Sequence, residues 1–379
     1  MNGSTERILT THTGSLARPT ELADAMVARE TGELSADRLE QLPTLIADAV
    51  QQVVNSQIDT GIDIVSDGEM SKIGYATYVK ERLTGFDGEA GTLALADLED
   101  FPEFTERALA GLVTTTPACT GPITYVGQAA LQNDINDLAA AIGDRSISDA
   151  FIPAASPGVI SLFLANQHYS SHAEYLSALS DVMRVEYEAI TEAGFLIQVD
   201  SPDLAMGRHA QYADSTVAEF IAAIELHVEA LNAALVNVDP SRVRMHLCWG
   251  NYEGPHNHDV DLDDILPTVL KVNAQGLVLE AANPRHGHEW QVFEDFDLPD
   301  DKILIPGVID TSSNYIEHPQ LVAERITRYA NLVGRERVIA GTDCGLSTFA
   351  SFIPVEPRIG WAKLQSLVRG AELASKNLW

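Results

Sequence analysis

Apolar positions along this chain recur at two spacings, and the two take turns. Short runs rich in Val, Ile and Leu, at 8–12, 62–65, 150–153, 195–199, 243–248, 276–280, 303–308 and 338–341, read as strands. Between them, over 39–59, 172–193, 217–235 and 321–332, apolar residues fall at the i, i+3, i+4 spacing of an amphipathic helix. Eight strand-to-helix steps are the number needed for a closed (β/α)8 TIM barrel in the α/β class, with a doubly wound open sheet as the alternative.

One stretch breaks the rhythm. Residues 85–149 are too many for a short strand-to-helix connection and read as an insertion after strand 2. Within it, 121–127 predicts a small hairpin or strand and 134–142 a helix. The chain carries no internal repeat and no Gly/Pro/Ser-rich linker, so residues 1–379 are expected to form a single catalytic domain.

Composition narrows the partners. Asp and Glu number 55 against 24 Lys and Arg, a formal charge of −31 that repels nucleic acid and anionic membranes. No apolar run is long enough to span a bilayer and the first residues carry no signal-peptide pattern. Three cysteines, Cys119, Cys248 and Cys344, are too few and too odd for a disulfide framework. A cytoplasmic protein is expected, with small-molecule partners and neither nucleic acid nor membrane among them.

Chemistry-bearing residues cluster after the expected strands: His12-Thr13-Gly14-Ser15, Asp67-Gly68-Glu69, Asp200-Ser201-Pro202-Asp203, His246-Leu247-Cys248, Glu280, Asp310 and Asp343-Cys344. In a parallel barrel those strand ends share one mouth. Residues i and i+2 of a strand face the same side, so His246 and Cys248 can reach one metal, with Cys344 as a third soft ligand and Glu280 able to complete the shell. Each residue taken singly has a structural reading, a small buried Cys or a hydrogen-bonded His. Together they are the makings of a Zn2+ site that lowers the pKa of a substrate thiol. Glu69 and Asp200 can anchor an amino group or serve as acid and base; they can equally cap a helix or pair with Lys72. Cys119 is expected to be inert. His256 and His258 are expected as solvated loop histidines, and His286 and His288 likewise.

With these residues assembled, the chain resembles the catalytic half of cobalamin-independent methionine synthase, from about residue 10 to residue 348. The resemblance rests on the ordered set Thr13-Gly14-Ser15, Asp67-Gly68-Glu69, Gln198-Val199-Asp200, His246-Leu247-Cys248, Gly307-Val308-Ile309-Asp310 and Asp343-Cys344-Gly345-Leu346. It implies a (β/α)8 barrel with zinc held by His246, Cys248, Glu280 and Cys344. It also implies that Ser15, Glu69 and Asp200 hold the amino and carboxylate groups of homocysteine. Departures fall on the methyl-donor side. The long enzymes carry an N-terminal half that helps bind polyglutamylated folate and has no counterpart here. The family's Asp-Glu-Pro reads Asp200-Ser201-Pro202, its proton-donating His falls at Ser312, and its folate-contacting Trp falls near Phe163.

Single-barrel relatives include core methionine synthases and epoxyalkane:coenzyme M transferases. A sulfonate thiol would want a cation, for which Arg18, Lys72, Arg208 and Arg285 are candidates; an amino-acid thiol would use Glu69 and Asp200. The expectation is zinc-dependent methyl or alkyl transfer to a homocysteine-like thiol, from an alkyl donor such as a methylfolate. Glu69 and Asp310 are the expected catalytic groups, Asp310 orienting groups near the reacting centre. Epoxide opening with coenzyme M, or a metal-storing barrel that has lost its donor site, are the alternatives.

Overall fold

The computed structural model describes residues 1–89, 93–108 and 116–379; residues 90–92 and 109–115 of the expected insertion lie outside them. Among the described residues, eight parallel strands carry the fold: β1 (Leu9–Thr10), β2 (Ile64–Ser66), β3 (Asp149–Ala155), β4 (Leu196–Asp200), β5 (Val243–His246), β6 (Gly276–Leu279), β7 (Ile303–Pro306) and β8 (Ile339–Ala340). Strands β2 to β7 pair in chain order, and β1 pairs with β8, Leu9 opposite Ile339. Two seams close the ring. Parallel bridges from Leu304 to Val338 and from Gly307 to Gly341 join β7 to β8. Asp63 N donates to Thr10 O and Thr11 Oγ1 to Ile64 O, both at 3.1 Å, joining β1 to β2. The open-sheet alternative is thereby excluded, and the chain is an α/β barrel.

Alternation decides which side chains face inward. Leu9, Ile64, Phe151, Leu196, Val278, Ile303, Ile305 and Ile339 form one buried cluster inside the ring, drawn from every strand but β5. Strand β5 contributes Arg244 instead, whose guanidinium lies over the Phe151 ring and donates to Thr11 Oγ1 and His12 O at 2.9 Å each. Its neighbours Val243, Met245 and Leu247 belong to the separate core between sheet and helices. His246 and Cys248 continue the inward series above Arg244.

The six longest helices are α1 (Ala36–Thr60), α2 (Gln128–Ile142), α3 (His172–Glu192), α4 (Val217–Ala234), α5 (Pro319–Val333) and α6 (Pro357–Leu378). Their ends follow from local chemistry. Thr216 and Glu219 form a reciprocal capping box at the start of α4, Pro319 and Pro357 occupy first turns where their missing N–H is harmless, and Gly61 at φ 94° ends α1. No helix among the described residues is long and apolar enough to cross a membrane.

Between β2 and β3 the structure departs from the expected hairpin. Gly88–Glu89 pairs antiparallel with Pro117–Ala118, while 121–127 holds only a bridge from Tyr125 to Leu83. The backbone of Gly85 lies against that of Gly121, so close that a Cβ on Gly85 would stand 2.7 Å from Gly121 O. The helix begins at Gln128 rather than 134, because Gln128-Ala129-Ala130-Leu131 are all strong helix formers.

Helix α6 packs on α5 through Gly370, where a Cβ would collide with the Val322 side chain and lie 3.1 Å from Pro319 O. Gly370→Ala is therefore expected to destabilise the chain by about 1–3 kcal/mol, the usual penalty for an overpacked helix contact, despite its better helix propensity. Urea denaturation of the variant measures the sign; stabilisation would mean that α6 can move away freely.

Candidate metal centre

The first two candidate metal-ligating side chains are delivered by β5 and its extension. Leu247 N donates to Val278 O at 2.9 Å, so pairing with β6 continues past the last strand residue and holds His246 and Cys248 on the inner side. Cys344 arrives from the loop after β8, its N–H bonded to Thr311 Oγ1 at 3.1 Å. One ligand atom each from His246, Cys248 and Cys344 lie within 4.8 Å of one another, and all three residues are buried. The two sulfurs are 3.1 Å apart and belong to free cysteines.

Asp200, at the end of β4, sits behind the imidazole. Its Oδ1 lies 3.1 Å from His246 Nδ1 and accepts a 2.8 Å bond from Gln198 Nε2. A carboxylate there makes Nδ1 the donor and frees Nε2, which is buried with no hydrogen-bond partner. Two thiols and an imidazole nitrogen aimed into a buried space fit a borderline-soft divalent cation.

Electrostatics point the same way. The bond from Cys344 holds the Cys248 thiol well below its ordinary range against the opposing effect of burial, while burial and the Cys248 charge push Cys344 well above it. Burial pulls His246 down, but Asp200 and Cys248 lift it to about 10. Burial and Cys248 raise Glu280 well above the carboxylate range. So many buried anions cannot ionise together without a cation among them.

Glu280 stands beside the His/Cys/Cys group rather than within it. Its Oε1 accepts from Trp249 N and its Oε2 from Asn283 Nδ2, both at 2.7 Å. Asp343 fixes the neighbouring loop by accepting from the backbone N–H groups of Ala281, Ala282 and Asn283 at 2.8–2.9 Å. One residue before Cys344, it ties the two sides of the site together.

A second part of the mouth is lined by acceptors. Glu69 adopts φ 59° and is buried; its Oε2 and Gln198 Oε1 both lack a donor. The two side chains converge at Gly14, where a Cβ would stand 2.8 Å from Glu69 Oε1 and 3.7 Å from Gln198 Nε2. Ser15 follows, its Oγ packed so tightly on Gly345 that a Cβ there would overlap it. Burial lifts Glu69 to about 8, Lys72 opposing and Asp200 adding to the rise. An arriving ammonium group, with three N–H donors, would satisfy these acceptors.

Other expected residues are placed elsewhere. Asp310 Oδ1 accepts from Ser312 N at 2.9 Å and Ser312 Oγ at 2.7 Å, and Oδ2 accepts from Ser313 Oγ, so its carboxylate orders its own turn. Among the cations, Arg18 is buried on the carbonyls of Ser347, Glu69 and Lys72; Lys72 donates to Pro153 O; Arg208 donates to Tyr212 O and Ala213 O. Arg285 is exposed. Cys119 is buried in the segment between β2 and β3. The expectation of solvated histidines is met by His258 and His288 but corrected for His256 and His286, which are buried against Asp259.

Sequence reasoning assigned no role to Gln198, Asn251 or Tyr75. Gln198 was reachable, since it lies two residues before Asp200 on the inward face. Asn251, which donates to Gly345 O at 2.7 Å and accepts from Thr311 Oγ1 at 3.0 Å, carries no local signal. Nor does Tyr75, whose ring meets Phe163 at 5.7 Å and Phe349 at 5.9 Å as an aromatic wall.

Comparison with known proteins adds three findings. Residues 163–352, half of the chain, match the family model described as the catalytic domain of cobalamin-independent synthase. The methionine synthase of Sulfolobus acidocaldarius is 25% identical over 371 residues, covering 97% of this chain and 94% of that protein. The methionine synthase of Thermococcus kodakarensis is 25% identical, with coverages of 96% and 93%. These relatives have no long additional half that this chain lacks. Among solved structures, a B12-independent methionine synthase from a Shewanella species, in complex with selenomethionine, superposes with a TM-score of 0.74 at 21% identity. It covers 98% of this chain and 99% of that one, a likeness of fold.

The raised Glu69 pKa has a measurable consequence. Its folded value of about 8 exceeds the ordinary 4.5, so the unfolded chain releases the proton first and stability falls as pH rises between the two. In metal-depleted protein, Glu69→Gln is expected to stabilise the chain at pH 8 by about 1–3 kcal/mol, the scale of an unpaired buried polar group, relative to its effect near pH 4. Urea titrations at the two pH values test this; an identical effect at both would mean that folding leaves the Glu69 pKa at its ordinary value.

Proposed function

The chain belongs to the cobalamin-independent methionine synthase family, and on that premise we propose that it is a zinc-dependent methyltransferase acting on the thiol of homocysteine, with a methylfolate-type donor. The observation that carries this reading is the buried group of His246, Cys248 and Cys344, with His246 Nε2 left free by the Asp200 contact behind it. In this reading Glu280, hydrogen-bonded at both oxygens beside the cluster, completes the ligand set. Bound zinc supplies a Lewis acid that keeps a substrate thiol ionised at neutral pH.

The chain's own residues do the rest. Glu69 and Gln198 receive the amino group of the amino-acid thiol, and the Ser15 hydroxyl, backed by Gly345, faces its carboxylate. Asp200 accepts the His246 Nδ1 proton and so keeps Nε2 as a lone-pair donor. Asp343 holds the loop bearing Glu280 against the one bearing Cys344, so both sides of the site stay in register. Asp310 contributes by ordering the turn of Ser312 and Ser313 at the rim. In the transfer an S–C bond forms at the acceptor sulfur as its proton is given up, and the donor nitrogen keeps the pair of the broken C–N bond and takes up a proton from water. Holding sulfur and donor in line is the main work of the rigid rim.

An amino-acid acceptor is favoured over a sulfonate thiol because Arg18, Lys72 and Arg208 are spent on backbone carbonyls. The orphaned atoms of Glu69 and Gln198 are acceptor oxygens, which suit an ammonium and repel an anion.

Calorimetric titration of the zinc-loaded protein with homocysteine and, separately, coenzyme M tests the acceptor. Homocysteine is expected to bind with proton release, and coenzyme M is expected not to; the reverse preference would replace methyl transfer with epoxide opening. Cys344→Ser is expected to lower bound zinc and to slow thiol methylation by at least about 100-fold, beyond the loss typical of residues that merely orient a ligand. Undiminished turnover by fully metal-free protein would sink the reading.

A further inference from the structure

A second buried cluster lies behind Trp249, outside the machinery described above. Asp259 is at its centre. Its Oδ2 is 3.0 Å from His256 Nδ1 and 3.0 Å from His286 Nε2, and its Oδ1 is 3.1 Å from His209 Nδ1. We propose that His209, His256, His286 and Asp259 form a second metal site, for a divalent transition ion of the zinc or cobalt kind.

Three observations support it. One ligand atom each from His256, Asp259 and His286 lie within 4.8 Å of one another. The outward nitrogens of two rings are anchored: His286 Nδ1 lies 2.9 Å from Glu289 Oε2, and His256 Nε2 lies 3.1 Å from Tyr252 O. That is the arrangement of metal-binding imidazoles, in which an outer carboxylate or carbonyl fixes the ring and turns the other nitrogen to the ion. The third is unspent polarity. His209 has no exposed surface, yet neither of its ring nitrogens has a hydrogen-bond partner, and Asp259 Oδ1 has none either. His209 Nδ1 and Asp259 Oδ1 are close without being aligned for a hydrogen bond, a costly state for buried groups unless something else binds both.

The donor set selects the ion. Three imidazoles and one carboxylate suit zinc, cobalt or nickel and are poor for calcium or magnesium, which prefer all-oxygen shells. Exposure of His256 and His286 is 9% and 2%, so four ligands would close the shell with no position open to substrate. The role is structural. The ion would pin the loops after β4, β5 and β6, two of which carry Cys248 and Glu280. Trp249 stands between the clusters, its ring 4.3 Å from that of His286 and its N–H on Glu280.

Cobalt(II) titration of the full-length metal-free chain separates the two sites, because thiolate ligands give intense near-ultraviolet charge-transfer bands and imidazole–carboxylate ligands do not. Wild type is expected to bind two equivalents and Cys248→Ser/Cys344→Ser one, with visible bands but no charge-transfer band. In the wild-type background, His209→Gln or His256→Gln is expected to remove one equivalent, weakening it at least about 10-fold, while the charge-transfer band stays. Circular dichroism verifies that each variant is folded. A single equivalent in wild type that carries the charge-transfer band overturns the proposal, as does a second equivalent that survives both histidine substitutions. Loss of only the charge-transfer equivalent would count against the proposed function and leave the second site standing.

Discussion

Parallel strands that close into a ring bring all their C-terminal ends to one rim, and here that rim must absorb an unusual density of buried negative charge. Cys248, Cys344, Glu280, Asp200 and Glu69 are all buried at it, with Asp343 just behind. In water the carboxyl groups would ionise freely at neutral pH, and the thiols only in mildly alkaline solution. Enclosed together they cannot, so their protonation states are coupled and their positions make electrostatic sense around a cation. The hydrogen-bonded supports of the rim serve that constraint: Asp200 behind His246, Asp343 across the loop after β6, and backbone N–H groups on Glu280 and Cys248.

The same rim separates two kinds of recognition. On the His246 side the donors are soft and suit a metal; on the Gly14 side they are unpaired oxygens that suit an ammonium group. Close backbone approach makes this possible at two glycines. Gly14, at φ 140°, lets Glu69 and Gln198 converge, and Gly345 admits Ser15.

Behind the rim, Trp249 couples the loops mechanically. It is fully buried, its indole N–H on Val260 O at 2.7 Å and its backbone N–H on Glu280. The histidine cluster around Asp259 packs on its far face. A ligand-bearing loop braced in this way does not need regular secondary structure to hold its side chains still.

Much of this was legible in the sequence. Period-two alternation through Val243-Arg244-Met245-His246-Leu247-Cys248 assigned two ligands to the interior, and the count of strand-to-helix steps assigned the barrel. The motifs at 13–15, 67–69, 198–200 and 343–346 located the rim. Such features are local, since strand periodicity and chain order are written in neighbouring residues. Pairings between distant loops are not. That Asp259 would draw His256 and His286 out of solvent, that Asp310 would be spent on Ser312 and Ser313, and that Arg18 would be consumed by carbonyls depended on which loops meet. The antiparallel pairing of 88–89 with 117–118 depended on it too. Each of those choices compares the cost of burying a polar group with the partner it finds there, and the partner exists only once the barrel has closed.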